Sequence, residues 1–261
     1  MSVSPKYDFS GKVAFVTGAG SGIGRATAIA FANAGASVAA VDVNEAALNE
    51  TVAQIAAAGG KAAAIIADVT KGDQVEAAVA QTVSTFGRLD AAHNNAGVEQ
   101  PGMPLHEVSE ELYDRILGIN TRGVFLCMKY QIPAMMKNGG GAIVNTGSTA
   151  GILSFQDQAA YTASKYGVVA LTKCAAMEYA SAGIRINSLC PGITDTPMIP
   201  RAWGGDKETT ARLVAQQPLG RFATPEEMAG GVLWLCSEGA GFVTGTVLSI
   251  DGGQSAGIFS K

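Results

Sequence analysis

The stretch Thr17-Gly18-Ala19-Gly20-Ser21-Gly22-Ile23-Gly24 constrains this chain more than any other. It follows the apolar run Lys12-Val13-Ala14-Phe15-Val16-Thr17 and precedes an alanine-rich stretch from Arg25 to Ala34. A short, uniformly apolar run ending at glycine is the pattern of a strand buried on both faces. Strand, glycine loop and helix in that order set the first amides of a helix at a strand end, where they can hold phosphate. The spacing is GxxxGxG, carried by Gly18, Gly22 and Gly24. It is not GxGxxG, because Ile23 stands where the third glycine would fall, and no Gly-Lys-Ser/Thr follows to make a Walker loop.

The second apolar run, Ser37 to Val41, ends in Asp42. An acid about twenty residues beyond such a loop hydrogen-bonds ribose hydroxyls and repels a 2′-phosphate. Ser21, Val43 and Asn44 supply no compensating cation, so the pattern predicts NAD rather than NADP. The competing role for Asp42 is to cap the next helix. That helix is expected over about 44–57, then a strand over 61–67 closed by Asp68-Val69. Asp68 is placed either to accept from an adenine amino group beside Val69 or to serve as a turn residue. A helix over 71–86 and a strand over 89–93 follow. Asn94-Asn95-Ala96-Gly97 then offers amides and small residues against which a flat ligand can lie.

The alternation continues to the end of the chain and gives seven strands. A polar loop covers 98–106, and a long helix is expected from Ser109 to about Pro133. Asn120 lies in its interior, where asparagine competes with the helix for hydrogen bonds and invites a reason such as a kink or a bound water. The strand over 142–146 leads to Ser148. The sixth strand, 185–190, ends at Pro191-Gly192-Ile193-Thr194-Asp195-Thr196-Pro197, which exposes amides and hydroxyls. Residues 198–217 are richer in charge and turns, with a helical piece near 209–215, and are read as a mobile lid. Thr224-Pro225-Glu226-Glu227 is a helix start, and Thr246 to Ile250 is the last strand.

Tyr161 and Lys165 are four residues apart, one turn on the same face of a helix. A cation beside a phenol favours the phenolate, and each unit of lowering is worth about 1.4 kcal/mol. The pair is therefore a candidate proton-transfer group. Ser148 sits at a strand's carboxyl end, where open α/β sheets bind ligands.

Composition narrows the classes. The chain has 261 residues, is 48% hydrophobic and 15% charged, and carries a net charge of −4. Those values indicate a folded protein with a substantial core. No basic run points to nucleic acid, no segment is long and apolar enough for a membrane span, and Met1 to Asp8 lacks the apolar core of a signal peptide. Cys127, Cys174, Cys190 and Cys236 are dispersed and form no metal-ligand cluster, so no metal is expected, and reduced thiols fit a cytoplasmic protein.

Together, Thr17–Gly24, Asn94–Gly97, Asn120, Ser148, Tyr161-x-x-x-Lys165 and Pro191-Gly192 are similar in order and spacing to the motifs of the short-chain dehydrogenase/reductase family, over about residues 9–254. The resemblance implies an α/β fold of the Rossmann type: one doubly wound, seven-stranded parallel sheet, order 3-2-1-4-5-6-7, with a substrate lid inserted at about 193–217. It implies catalytic Asn120, Ser148, Tyr161 and Lys165. Tyr161 would act as general acid or base, and Ser148 would hydrogen-bond the substrate oxygen. Lys165 would lower the tyrosine pKa and bind the nicotinamide ribose, and Asn120 would hold a water behind it. Cofactor contacts are implied for Gly18, Ser21, Gly22, Ile23, Gly24, Asp42, Asp68, Val69, Asn95, Ala96 and Gly97. Further along they fall on Tyr161, Lys165, Pro191, Gly192, Ile193, Thr194 and Thr196, with the two threonines on the carboxamide or pyrophosphate. A homotetramer is implied as well. His93 departs from the usual apolar residue before the asparagine pair and is read as packed.

The expected activity is NAD-dependent interconversion of a secondary alcohol and its ketone, with a small molecule as substrate. Two alternatives are an NADPH-dependent 3-oxoacyl-carrier-protein reductase and a non-catalytic NAD(H)-binding regulator. Phe155, Gln156, Met198 and Trp203 are expected at the substrate, with Asp195 and Arg201 available for a polar group.

Overall fold

The computed structural model describes residues 7–204 and 206–257, without the side chains of Ala202 and Trp203. The residues read above as lacking a leader (1–6), Gly205 and the Trp203 side chain therefore lie outside the described residues.

Seven strands form one sheet, all neighbours parallel, in the order β3-β2-β1-β4-β5-β6-β7. They are β1 (Val13–Thr17), β2 (Ser37–Asp42), β3 (Lys61–Ile66), β4 (Ala91–Asn94), β5 (Gly141–Thr146), β6 (Ile184–Pro191) and β7 (Val247–Ile250). Every residue of β1 is buried, because helices cover both faces. Alternation along the strand splits it between two cores. Ala14 and Val16 join Ala28 and Phe31 of α1 (Gly22–Asn33), Leu48 and Ile55 of α2 (Glu45–Ala57), and Met228 and Val232 of α9 (Pro225–Cys236). Phe15 faces the other way. It joins Val79 of α3 (Gly72–Phe86), Met128 and Ile132 of α5 (Gly123–Lys137), and Val168 of α6 (Ala159–Tyr179). The remaining helices are α4 (Glu110–Leu117), α7 (Met198–Trp203) and α8 (Lys207–Ala215).

The strand order reverses at β1, which pairs with β2 on one side and β4 on the other. Ligands bind α/β sheets at such a switch point, outside the carboxyl ends of the strands. Register keeps those ends level: Thr17 lies opposite Val41, and Val16 opposite His93.

The long helix expected from Ser109 to Pro133 is two helices. A π turn, Gly118–Arg122, separates α4 from α5, and Asn120 sits inside it. The lid region holds two helices rather than one short piece. Asn44, not Asp42, caps α2 by accepting from the Ala47 amide at 3.1 Å.

The expected start of α9 is a full capping box. The Thr224 hydroxyl accepts from the Glu227 amide at 3.3 Å, and the Glu227 carboxylate accepts from the Thr224 amide at 2.8 Å. Arg221 grips the same carboxylate with both guanidinium nitrogens, at 2.6 and 2.8 Å. Hydrogen bonding to Arg221 above all holds the Glu227 carboxyl down at about 2. A lowered carboxyl stabilises the fold above its ordinary value of 4.5 and loses that contribution as pH falls toward 2. The pair is largely exposed, so most of its value is the cap. Glu227→Gln is expected to lower stability by about 1 kcal/mol at pH 7, and the difference should shrink below pH 4.5 in urea denaturation followed across pH.

Candidate active site

The loops that follow β1 to β6 surround one cavity of about 1050 Å³. Of the residues implied for catalysis or cofactor binding, all but Gly24 and Asn120 line it. Each of the two exceptions acts from behind the wall.

Gly24 has no room for a side chain, because a Cβ there would strike the Gly18 carbonyl and lie 2.7 Å from the Asn95 amide nitrogen. Bare backbone at this position lets α1 start close against β1. Gly18 and Gly22 take φ of +65° and +51°, which glycine adopts freely. A Cβ on Gly22 would come within 3.1 Å of Thr196. At the start of α1, Ser21 makes no side-chain cap and the first turn holds no acid, so the helix amides and dipole are left for an anion.

The Asp42 carboxylate is fixed by two amides, accepting from Gly20 and Asn44 at 2.9 Å each. It thereby ties the end of β2 to the glycine loop and still lines the cavity. Arg25 is the cation close to this loop. Its guanidinium donates to the Gly20 carbonyl at 2.5 Å and to Glu50 at 3.1 Å, and it does not line the cavity. Asp68 closes its own turn by accepting from the Thr70 amide at 2.9 Å, and it lines the cavity beside Val69. The two asparagines after β4 divide. Asn94 is buried in the core, bonded to Gln131 and Asn145. Asn95 faces the cavity, with its Nδ2 donating to the Thr17 carbonyl at 3.2 Å.

Asn120 clamps the β4 loop. Its Oδ1 accepts from the Val98 amide at 2.8 Å, and its Nδ2 donates to the Val98 carbonyl at 2.9 Å and the Ser164 hydroxyl at 3.0 Å. That clamp is a reason for an asparagine inside a helix that the sequence did not disclose. Ser148 lies two residues past β5 and accepts from the Ala150 amide at 3.1 Å.

Tyr161 and Lys165 share one face of α6, as their spacing requires. The Lys165 ammonium lies 5.6 Å from the centre of the Tyr161 ring and donates to the Thr146 carbonyl at 2.9 Å. Burial lowers the Lys165 pKa to about 8, against the pull of the Glu99 carboxylate. The phenol departs from the sequence reading. Burial first, and then the Glu99 charge, push the Tyr161 pKa well above its ordinary value, while the Ser148 hydroxyl works in the other direction. The lysine ammonium stands over the ring face and rests on the Thr146 carbonyl.

His93 is packed, as expected, with Nε2 2.8 Å from the Thr146 hydroxyl. Burial drives its pKa to about 3, so it is neutral. Phe155, Gln156, Met198 and Arg201 line the cavity, whereas Asp195 is exposed and does not. Glu99 and Gln100 fall in the stretch expected as a polar loop. Glu99 lines the cavity, and Gln100 is buried with its side-chain oxygen accepting from the Ala160 and Tyr161 amides at 2.9 and 3.1 Å. Their signal was an acid and an amide placed directly after the small residues of a strand end.

Asn120→Ala would leave the Val98 amide and carbonyl without partners. A loss of about 2–3 kcal/mol in denaturant stability is expected, with faster hydrogen exchange at Val98 than at the β4 amides.

The comparisons agree with this geometry. A family model described as Enoyl-(Acyl carrier protein) reductase matches residues 18–255. A 2,5-dichloro-2,5-cyclohexadiene-1,4-diol dehydrogenase from Sphingobium indicum is 48% identical over 250 residues, covering 95% of this chain and 99% of the relative. A cyclohexanol dehydrogenase from an Acinetobacter species is 45% identical over 248 residues, covering 95% and 96%. The crystal structure of levodione reductase superposes with a TM-score of 0.93 at 38% identity, covering 96% of this chain and 100% of that one. With the family match spanning most of its length and its sheet order and site loops as described, this chain belongs to the short-chain dehydrogenase/reductase family.

Proposed function

We propose that the protein is an NAD(H)-dependent dehydrogenase that interconverts a cyclic secondary alcohol and its ketone. The observation that carries this reading is the convergence of Ser148, Tyr161 and Lys165 in one cavity with the glycine loop and Asp42. The relatives named for a cyclohexadiene diol and cyclohexanol support the substrate class. Phe155 and Met198, with Gln156 beside them, give that cavity a partly apolar wall.

The residues fit a nicotinamide dinucleotide. The uncapped start of α1 suits the pyrophosphate, and Asp42 suits the adenosine ribose hydroxyls. When bound, the nicotinamide supplies the hydride acceptor for alcohol oxidation or the donor for ketone reduction. Tyr161 moves the proton at the substrate oxygen. Ser148 donates a hydrogen bond to that oxygen as charge develops on it. Lys165 serves the ribose of the nicotinamide half. Thr194 and Thr196 extend the same wall from the end of β6. Asn120 supports the site through Val98, and its assigned water behind Lys165 belongs to the same reading. Preference for NAD follows from the Asp42 charge, which disfavours a 2′-phosphate, with Arg25 engaged elsewhere.

Residues 193–217 are assigned as the substrate lid of a single domain. Backbone bonds tether its two ends: Asp195 donates to the Ala223 carbonyl at 2.8 Å, and Leu219 to that of Gly252 at 3.1 Å. Exposed Phe125 on α5 and Tyr166 and Met177 on α6 support pairing of copies through these helices, within a homotetramer. The described helices include none long and apolar enough to cross a membrane, and the four free cysteines fit a reducing, cytoplasmic setting.

Nicotinamide absorbance with cyclic monoalcohols and diols, each beside its ketone, tests the reading. Turnover with NAD is expected, and Tyr161→Phe should lower kcat by about 10²-fold or more while NADH still binds. NADPH-dependent turnover of a carrier-protein thioester in its place would overturn the assignment. So would NADH binding with no turnover of any alcohol or ketone on the panel. Asp42→Ala is expected to cut the NAD over NADP preference about tenfold or more, measured as the ratio of kcat/KM values.

A further inference from the structure

His93 is fully buried within β4. Its neighbours on that face of the sheet are apolar. Val16 of β1 and Val144 of β5 lie opposite it and Ala91 two residues before it, and all three belong to the core under α1 and α9. An imidazole in such surroundings costs free energy unless its nitrogens are bonded. One of them is: Nε2 meets the Thr146 hydroxyl at 2.8 Å, while Nδ1 is buried with no partner among the described residues. An apolar side chain would fill the slot without that cost, so a use for histidine has to lie in the Nε2 contact.

The bonds around Thr146 fix which way each proton points. The Thr17 carbonyl can only accept, so Asn95 turns its Nδ2 toward it at 3.2 Å and its Oδ1 toward the Thr146 hydroxyl at 3.4 Å. That Oδ1 can also only accept, so the Thr146 hydroxyl donates to it. The hydroxyl has one proton to give and therefore accepts from His93, whose own proton sits on Nε2. The orphan left at Nδ1 is then a bare acceptor, which is less costly to bury than an orphan N–H. The opposite tautomer would strand an N–H at Nδ1 and leave Asn95 without the Thr146 proton. Donation thus runs from His93 to Thr146, from Thr146 to Asn95, and from Asn95 to Thr17, where the glycine loop begins.

We propose that His93 is a positioning residue of the dinucleotide site: its Nε2–H orients the Thr146 hydroxyl, which holds the Asn95 carboxamide against the glycine loop. The inference rests on the reading of that loop as the dinucleotide site. Space between the two is tight. A Cβ on Gly18 would lie 2.9 Å from Asn95 Nδ2, and one on Gly24 would lie 2.7 Å from it, so the carboxamide is the surface on which the loop is seated. Asn95 and Thr146 line the cavity, whereas His93 does not and acts only through them. The Thr146 carbonyl receives Lys165 at 2.9 Å, but its backbone is held by the sheet, opposite Leu189 of β6. The histidine therefore governs the hydroxyl and not the carbonyl. Burial, which drives the ring to a pKa of about 3, keeps it neutral and leaves it a single donor.

Calorimetric titration with NADH reads the effect directly. His93→Leu is expected to weaken binding about tenfold and to lower kcat/KM for the cofactor in proportion, while kcat at saturating cofactor does not fall. Its thermal stability should not fall either, because the orphan Nδ1 is gone. A residue needed only for packing would lose stability and leave affinity alone. His93→Gln places a donating Nε2 at the same reach and should restore affinity to within about twofold. Thr146→Val should weaken binding as His93→Leu does, and the double variant should bind no more weakly than either single one. Independently of any dinucleotide, nitrogen NMR of protein carrying labelled histidine should show His93 protonated at Nε2 and bare at Nδ1 at neutral pH. His106 is the other histidine and is exposed, so its substitution separates the two sets of signals.

A proton on Nδ1 of His93 would overturn the proposal. So would additive losses in the double variant, or a loss in His93→Leu that His93→Gln does not rescue. If His93→Leu does not fold, Thr146→Val and the tautomer carry the test. The underlying reading fails separately. If the wild type binds neither NADH nor NADPH, the glycine loop is not a dinucleotide site. If it binds them and His93→Leu binds them equally well, only the role of His93 fails.

Discussion

The parallel pairing of β1 with β4 is the constraint on which the site depends. It places the β1 glycine loop and the β4 asparagine loop side by side at the middle of one sheet edge. There Thr17 bridges the two, accepting from the Asn95 and Ala96 amides at 2.9 and 3.0 Å through its hydroxyl. Because every neighbouring strand is parallel, the other loops arrive at the same edge. Helices on both faces exclude water from the strands, so the backbone polar groups within the sheet pair with one another.

Behind the edge lies a buried polar layer that is unusually continuous. Asn94, Gln131, Asn145 and Thr172 link β4, α5, β5 and α6 through hydrogen bonds of 2.7 to 3.0 Å. Such groups hold one geometry firmly, because any displacement leaves a buried donor or acceptor unmatched. The layer fixes β5 against α6, and β5 carries the Thr146 carbonyl on which Lys165 rests. Rigidity in the core thus reaches the ammonium through one strand residue.

Much of this was legible in the sequence because it is local. Glycine spacing, strand ends in Asp42 and Asp68, the Tyr161 and Lys165 helical pair and the α9 cap each lie within a few residues, where periodicity and turn chemistry act. The sheet order and the family followed from their combination. Other features depend on residues far apart in the chain. The break of the long helix at Asn120 is explained by Val98, and the place of Gln100 by the start of α6, some sixty positions later. The upward shift of Tyr161 was hidden for the same reason. Spacing shows that Lys165 is near, but not that burial and the Glu99 charge push the phenol up.

The π turn at Gly118–Arg122 has a consequence for how this region can vary. A π turn accommodates an extra residue in the winding, and one α-helical residue corresponds to a rotation of about 100°. The helices on either side are therefore out of phase. α4 lies against α6, while α5 lies against α3 and the sheet. A single-residue deletion here would restore an unbroken α-helix and yet turn one half onto the wrong neighbour, carrying Asn120 away from Val98. The stretch looks like ordinary helix by composition, but its length is as fixed as its chemistry. Insertions and deletions among homologous chains should fall in the surrounding loops and spare it.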